Sequence, residues 1–275
     1  MKGGTALNLF VRDLPRLSVD IDLTYPPQEN YQEAKAGIQR HLTMLGESIS
    51  ANIAGSQIEN TSDTRLLVRL DDVLVKVELS PVLRETVHGV ENREVSGQTE
   101  ELFGYAQARM LSFNDLYAGK ICAALDRQHP RDLYDIKLLF DNEGLSRNLV
   151  ETFLVYLISH NRPIAELLSP RLKDIRGIYE SEFASMTQEN VSIKELEAVR
   201  LELIAQLQSS LTTNDKEFLL SFKSRQPDWS LLPLEGIADL PAVKWKQLNL
   251  EKMSTAKHRL ALEKLINTLG SMKRP

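Results

Sequence analysis

The chain has little of several things that usually announce a function. It carries one cysteine, Cys122, in 275 residues. That excludes an internal disulfide and a cysteine-rich zinc site, and it fits a reducing cytoplasm. The five histidines (His41, His88, His129, His160, His258) stand at no metal-ligand spacing. No apolar run reaches the ~20 residues that cross a bilayer, and the first residues lack the pattern of a secretion signal. A cytoplasmic protein with no membrane partner is expected. Excess positive charge is also missing. The formal net charge is −5, so any RNA contact has to come from a local basic patch. Neither a G-x-S-x-G elbow nor a Walker A loop is present, and there is no internal repeat or low-complexity stretch.

What is present is a pair of carboxylates near the start, in Ser18-Val19-Asp20-Ile21-Asp22-Leu23, shortly after Lys2-Gly3-Gly4-Thr5. A strand has a period of two, so Asp20 and Asp22 share one face. Two acids side by side repel each other, and a fold tolerates that where a cation sits between them. Hard divalent ions such as Mg2+ take carboxylate oxygens and keep open positions for phosphates. Gly3, Gly4 and Thr5 fit a turn whose backbone N–H groups approach a phosphate closely. A polar face on a solvated strand is the plainer alternative, and the turn with the apolar Ile21 and Leu23 favours metal-dependent phosphoryl or nucleotidyl chemistry. The turn begins at residue 3, with almost nothing before it, although such a turn normally follows a strand.

The hydrophobic pattern divides the chain. Val19–Leu23 reads as a strand ended by Pro26-Pro27, and 31–45 as a helix with apolar positions at Ala34, Ile38, Leu42 and Leu45. Strands are expected at 53–58, 65–70 and 73–79, the last two joined by a tight Asp71-Asp72 turn. The polar stretch 83–100 reads as a loop, and 107–111 as a further strand. Helices are expected at 113–127 and 131–140, with His129-Pro130 breaking between them. Beyond Gly144 only helices are expected: 147–160, 164–168, 193–210, 215–224, 240–250 and 254–269. The expected fold is therefore mixed α/β (α+β): a mixed sheet with flanking helices over residues 1–142, then a helical C-terminal domain over 143–275.

Three more constellations carry chemistry. In Val73-Leu74-Val75-Lys76-Val77-Glu78-Leu79 the valines and Leu79 make one apolar face, while Lys76 and Glu78 lie on the other. Glu78 completes a three-carboxylate site if this strand lies beside that of Asp20; otherwise it is part of an exposed Lys/Glu face. Lys120 and Arg127 are seven residues apart, within about 20° on one helix, and two cations on one stripe suit a triphosphate. Arg131, Asp132 and Asp135 follow, either to orient an arginine or substrate hydroxyl or as an ion-pair network between two helices. The basic tail (Lys244, Lys246, Lys252, Lys257, Arg259, Lys264, Lys273, Arg274) includes Glu251 and Glu263, so it reads as a solvated surface rather than an RNA track. Trp229 and Trp245 read as packing residues, and Cys122 as a small buried one.

These blocks taken together, K-G-G-T-A-L-N-L, R-L-S-V-D-I-D-L, V-K-V-E-L and K-I-C-A-A-L-D-R-x3-R-D-L-Y-D-I, resemble the AbiEii/AbiGii-type nucleotidyltransferase toxins of the DNA polymerase β-like superfamily. The stretch from Pro227-Asp228-Trp229 through Leu240-Pro241-Ala242-Val243-Lys244-Trp245 to Leu250 is similar to the end of such proteins. The resemblance implies that Gly3, Gly4 and Thr5 grip nucleotide phosphates, with Thr5 in place of a serine. It implies metal ligation by Asp20, Asp22 and Glu78, triphosphate binding by Lys120 and Arg127 with Arg131 as a weaker candidate, and a catalytic role for Asp135. It also implies a helix and strand before the glycine turn that this sequence does not contain. The implied reaction moves an NMP from an NTP to an acceptor with two Mg2+ ions. The acceptor would be tRNA, the outcome growth arrest, and the partner a separate winged-helix antitoxin. A non-catalytic relative binding a nucleotide or partner, and a transferase acting on a protein or small molecule, are the alternatives.

Overall fold

The computed structural model describes residues 1–25, 30–80 and 86–272, without the side chains of Tyr31, Asn60, Thr61 and Ser80. The chain forms two compact units, Met1–Ser112 and Phe113–Pro275.

In the first unit, α1 (Gly3–Ala6) runs directly into a π-helical segment, Leu7–Val11. Then come β1 (Ile21–Thr24), α2 (Tyr31–Asn52), β2 (Gln57–Ser62), β3 (Arg65–Leu70) and β4 (Val73–Ser80). The four strands make one sheet in the order β1-β4-β3-β2. β1 runs parallel to β4, whereas β4, β3 and β2 are antiparallel neighbours. The Asp71-Asp72 turn closes the β3–β4 hairpin, with Leu70 paired to Val73 and Asp71 at a φ of 50°, a conformation aspartate tolerates better than most residues.

One face of this sheet is covered by α2. Ala34, Ile38 and Leu42 are buried against Leu66, Val77, Leu79 and Tyr25, with Ile21, Leu23, Leu45 and Ile49 beside them. The apolar stripe recurs every three or four residues from Ala34 to Ile49, which carries the helix seven residues past the expected end at Leu45. Asn30 starts it with a capping box: its side chain accepts from the Gln32 and Glu33 amides, and the Glu33 carboxylate accepts from the Asn30 amide. The helix therefore takes residues Ala51 and Asn52, and β2 begins at Gln57 rather than at Ile53.

The expected loop at 83–100 is corrected in its described part. β5 (Val90–Glu94) pairs antiparallel with β6 (Gln107–Leu111), and α3 (Gly97–Phe103) lies between them. β5 is the polar sequence Val-Glu-Asn-Arg-Glu and buries almost nothing. Its conformation comes from ladder hydrogen bonds to β6, which leave no hydrophobic alternation to read. Pro26-Pro27 and residues 83–85 lie outside the described residues.

The second unit is helical: α4 (Phe113–Asp126), α5 (Pro130–Asn142), α6 (Arg147–Ser159), α7 (Ile164–Leu168), α8 (Arg176–Glu182), α9 (Ile193–Ser210), α10 (Thr213–Lys223), α11 (Pro241–Glu251) and α12 (Thr255–Ser271). α6 is its axis; every residue from Leu149 to Ser159 is buried. Tyr117, Ile121 and Leu125 of α4, Leu133 and Ile136 of α5, Leu203 of α9 and Phe218 of α10 are buried as well. Gln128, at a φ of 54°, turns the chain between α4 and α5, and His129 caps α5 ahead of Pro130. Only α8 was not expected. It buries none of its residues and so shows no apolar stripe. The compact units divide at Ser112 rather than at residue 142, because α4 and α5, expected with the first domain, pack with the helical unit.

Candidate active site

The sequence leaves open whether the Glu78 strand lies beside the first acidic strand. It does, but that strand begins at Ile21 rather than at Val19, so it carries Asp22 and leaves Asp20 one residue ahead of it. In the parallel β1–β4 pair Ile21 stands opposite Val77, Asp22 opposite Glu78 and Leu23 opposite Leu79. Ile21, Val77, Leu23 and Leu79 turn to the α2 side, so Asp22 and Glu78 lie side by side on the other face. Asp20, two residues ahead of Asp22, meets Lys76, two residues ahead of Glu78: Lys76 Nζ is 3.0 Å from Asp20 Oδ2 and 3.6 Å from Glu78 Oε2. Arg65, on β3, donates to Glu78 Oε2 at 3.3 Å. The side chains of Asp20 and Glu78 are 43% and 37% exposed, within reach of a ligand from solvent.

The glycine pair holds this face together from the chain's start. The Lys2 amide donates to the Asp22 carbonyl at 2.8 Å, tying residue 2 to β1 in an isolated antiparallel bridge. Gly3 has a φ of 80°, and a Cβ there would lie 2.2 Å from Asp22 Oδ2. A Cβ on Gly4 would lie 2.8 Å from Arg16 Nη2 and 3.0 Å from Ser18 Oγ. The buried Thr5 hydroxyl donates to the Asp20 carbonyl and lies 3.0 Å from Ser18 Oγ. Asn8 Nδ2 donates to the Gly4 carbonyl at 2.7 Å. Here the glycines admit the Asp22 carboxylate and the Arg16 guanidinium against the backbone, and Thr5 braces the segment that bears Asp20.

The carboxylates Asp20, Asp22 and Glu78 are met by cations: Lys76 and Arg65 in ion pairs, and Lys2 through its charge. Burial holds the Lys2 ammonium below the usual lysine range, although Asp22 and Glu78 pull it upward. Lys2 and Arg65 are the residues sequence reasoning missed. Their signal is long-range pairing, which a one-dimensional pattern does not carry. Lys76 was visible only as a polar neighbour of Glu78.

The third motif lies in the second unit. Lys120, 7% exposed, has its ammonium 3.0 Å from Asp132 Oδ1 and 2.8 Å from Asp135 Oδ2. Arg127 donates to the same Asp132 through Nε at 2.7 Å and Nη2 at 3.0 Å. Its side chain is 64% exposed. Burial would raise the Asp132 pKa, but Lys120 and Arg127 outweigh it and hold the carboxyl at about 2. The structure thus brings Lys120, Arg127, Asp132 and Asp135 together. Arg131 goes elsewhere: its Nη2 lies 3.1 Å from Glu182 Oε2, which also meets His129 Nε2 at 3.2 Å. In the basic tail, Lys246 donates to the carbonyls of His160, Asn161 and Arg162 at the end of α6, which makes it a helix cap. Lys273 and Arg274 lie outside the described residues. Trp229 packs on Phe218 and Phe222. Burial raises the Cys122 thiol pKa, so this cysteine is inert.

The donor set Asp20, Asp22 and Glu78 consists of hard oxygen ligands, as Mg2+ requires. The Lys76 ammonium between Asp20 and Glu78 shows that a cation is accommodated there. Among the described residues no three carboxylate, imidazole or thiol groups stand close enough together to hold a metal ion. Asp20, Asp22 and Glu78 match the ion in donor type, and Asp22 and Glu78 in register, but as they stand they are not close enough together to enclose it, and Lys76 sits between two of them.

A family model for the AbiEii toxin, a nucleotidyl transferase of type IV toxin–antitoxin systems, matches residues 1–246. The chain belongs to this family. It is a nucleotidyltransferase toxin of the AbiEii type, and that class implies an NTP substrate, a divalent metal and an antitoxin partner. The fold agrees. MenT4, a nucleotidyltransferase toxin from Mycobacterium tuberculosis H37Rv, superposes with a TM-score of 0.59 at 15% identity, over 96% of this chain and 83% of that one. No curated protein matches in sequence. Among the described residues no helix is long and apolar enough to cross a membrane.

Proposed function

We propose that this AbiEii-family toxin transfers a nucleoside monophosphate from an NTP to tRNA in a Mg2+-dependent reaction centred on the β1–β4 carboxylates. The observation that carries the proposal is the register Asp22↔Glu78, with Asp20, one residue ahead of β1, joined to Glu78 through Lys76. Asp20, Asp22 and Glu78 would hold the metal. Bound there, Mg2+ supplies neutralisation of the triphosphate and a more acidic acceptor hydroxyl. Glu78 is assigned the proton of that hydroxyl. The acceptor oxygen bonds to the α-phosphorus, the α–β phosphoanhydride bond breaks, and pyrophosphate leaves.

Thr5, Gly3 and Gly4 fix the approach of the first helical turn to Asp20 and Asp22, and are assigned to the nucleotide phosphates. Lys120 and Arg127 are assigned to the triphosphate: Arg127 has the exposed guanidinium, and Lys120 is the buried charge that Asp132 and Asp135 orient. Preorganised cations of this kind act where negative charge develops. Asp135 then serves through Lys120, and Arg131, held by Glu182, is the weakest member of the set. Residues 1–142 form the transferase domain in this functional sense. Loss of usable tRNA in the cytoplasm would arrest growth, and a separate winged-helix protein would be the antitoxin.

The acceptor is tested by incubating the protein with Mg2+ and each α-32P-labelled NTP in the presence of total tRNA, and in parallel of a protein extract. A labelled tRNA band, absent with EDTA, is expected from at least one NTP. Label confined to protein would replace the tRNA assignment with a protein acceptor.

A further inference from the structure

Lys76 occupies the place that the metal reading gives to an ion. Its ammonium lies between the carboxylate just ahead of β1 and one on β4, 3.0 Å from Asp20 Oδ2 and 3.6 Å from Glu78 Oε2. An ammonium stands ~2.8–3.0 Å from its acceptors, whereas Mg2+ stands ~2.1 Å from its ligand oxygens. Both use the same lone pairs, and their charges repel at that separation, so one excludes the other. We propose that Lys76 is the built-in counter-cation of the metal site: its ammonium and the divalent ion are alternative occupants of the space between Asp20 and Glu78, and the ion enters only as Lys76 swings aside. The inference rests on the assignment of Asp20, Asp22 and Glu78 as metal ligands.

The geometry makes the exchange inexpensive. Lys76 is 31% exposed in its side chain, and both of its partners are more exposed than that. Ion pairs at such positions are weak and are exchanged readily. The lysine stem is unbranched, so the ammonium moves without a backbone change. Glu78 keeps Arg65 at 3.3 Å while Lys76 leaves. Without an ion, Lys76 spares the fold the repulsion of adjacent carboxylates. An ion arriving alone has to displace this charge uncompensated. An ion arriving on a triphosphate brings negative charge, which gives the released ammonium a new counter-charge. Metal binding by the protein alone is therefore weak, and binding with NTP is stronger.

Mn2+ titration without nucleotide, followed by the EPR signal of the free ion, tests this directly. Lys76→Met keeps the stem and removes the charge, and Lys76→Arg keeps the charge. Lys76→Met is expected to bind Mn2+ at least about fivefold more tightly than wild type, the scale set by losing two partly exposed ion pairs. Lys76→Arg is expected to show no gain, and adding Asp20→Asn to Lys76→Met is expected to abolish it. Lys76→Gln serves if the methionine variant melts early. Equal or weaker Mn2+ binding by a well-folded Lys76→Met or Lys76→Gln protein overturns the role of Lys76. If Asp20→Asn and Asp22→Asn still weaken Mn2+ binding in that case, the metal assignment survives. If they leave it unchanged in every background, both fall together.

Discussion

The Asp22 carboxylate lies against the α-carbon of Gly3, so close that a methyl group there would sit 2.2 Å from Asp22 Oδ2. Gly3 is also at a φ of 80°, where a side chain is strained whatever the space. Gly3→Ala therefore meets two costs, together of about 1–3 kcal/mol. It is expected to lower the melting temperature and also to reduce nucleotide transfer, because Asp22 has to move. Thermal melts read beside transfer rates check this. A variant with wild-type melt and rate would show that Asp22 does not depend on the glycine.

Thr5 acts through its hydroxyl. That group is buried, donates to the Asp20 carbonyl and meets Ser18. Thr5→Val keeps the volume and removes the donor, at about 1 kcal/mol; Thr5→Ser keeps the donor. The valine variant is expected to lose most transfer activity with a modest fall in stability, and the serine variant to stay close to wild type. Equal activity in both would separate Thr5 from the positioning of Asp20.

Much of this was legible in the sequence because it is periodic. The alternation Ile21-Asp22-Leu23 and Val77-Glu78-Leu79 separates an apolar from an acidic face whatever the strands pair with. The helices of the second unit bury wide apolar stripes, so α6, α7 and α9 fall within a residue of their expected bounds. What was not legible is pairing over distance. Lys2 meeting Asp22, and Arg65 meeting Glu78, depend on the bridge and the register. β5 has no stripe because β6 alone supports it, and α8 has none because it buries nothing. The glycine pair was legible as a place of close approach, but the groups approaching in the structure are Asp22 at Gly3 and Arg16 at Gly4.

Asp132 sets part of the acid stability. Its carboxyl is held at about 2 against a usual 3.8; burial opposes this shift, and Lys120 and Arg127 produce it. A depressed folded pKa gives stability that is present above the unfolded value and lost as pH falls through the folded one. For Asp132 the window runs from about pH 4 down to about pH 2, with about 2 kcal/mol at stake. Asp132→Asn is expected to be less stable near neutrality, where Lys120 loses a buried partner, and to lose stability less steeply within that window. Urea unfolding across the window measures both slopes. Parallel slopes would contradict the assignment.

Arg127 grips Asp132 through Nε and Nη2 while its side chain stays largely in solvent. Arg127→Ala is expected to lower kcat/KM for NTP about ten- to hundredfold and to lower the melting temperature modestly, since the buried Asp132 loses two hydrogen bonds but keeps Lys120. Arg127→Lys is expected to recover part of the loss, because it keeps the charge without the planar fork. An unchanged kcat/KM in the alanine variant would remove Arg127 from the triphosphate site.

The central claim is that the acid face of β1 and β4 performs the transfer. Its most direct test is transfer of α-32P-labelled NMP with Mg2+ by wild type, Asp20→Ala, Asp22→Asn and Glu78→Gln, each with a thermal melt recorded in parallel. Wild type is expected to label the acceptor, and the Asp20 and Asp22 variants to melt as folded proteins and label nothing. Glu78→Gln is expected to label it at least about a hundredfold more slowly. Label from folded Asp20→Ala or Asp22→Asn at the wild-type rate would contradict the claim and place the chemistry elsewhere in the chain.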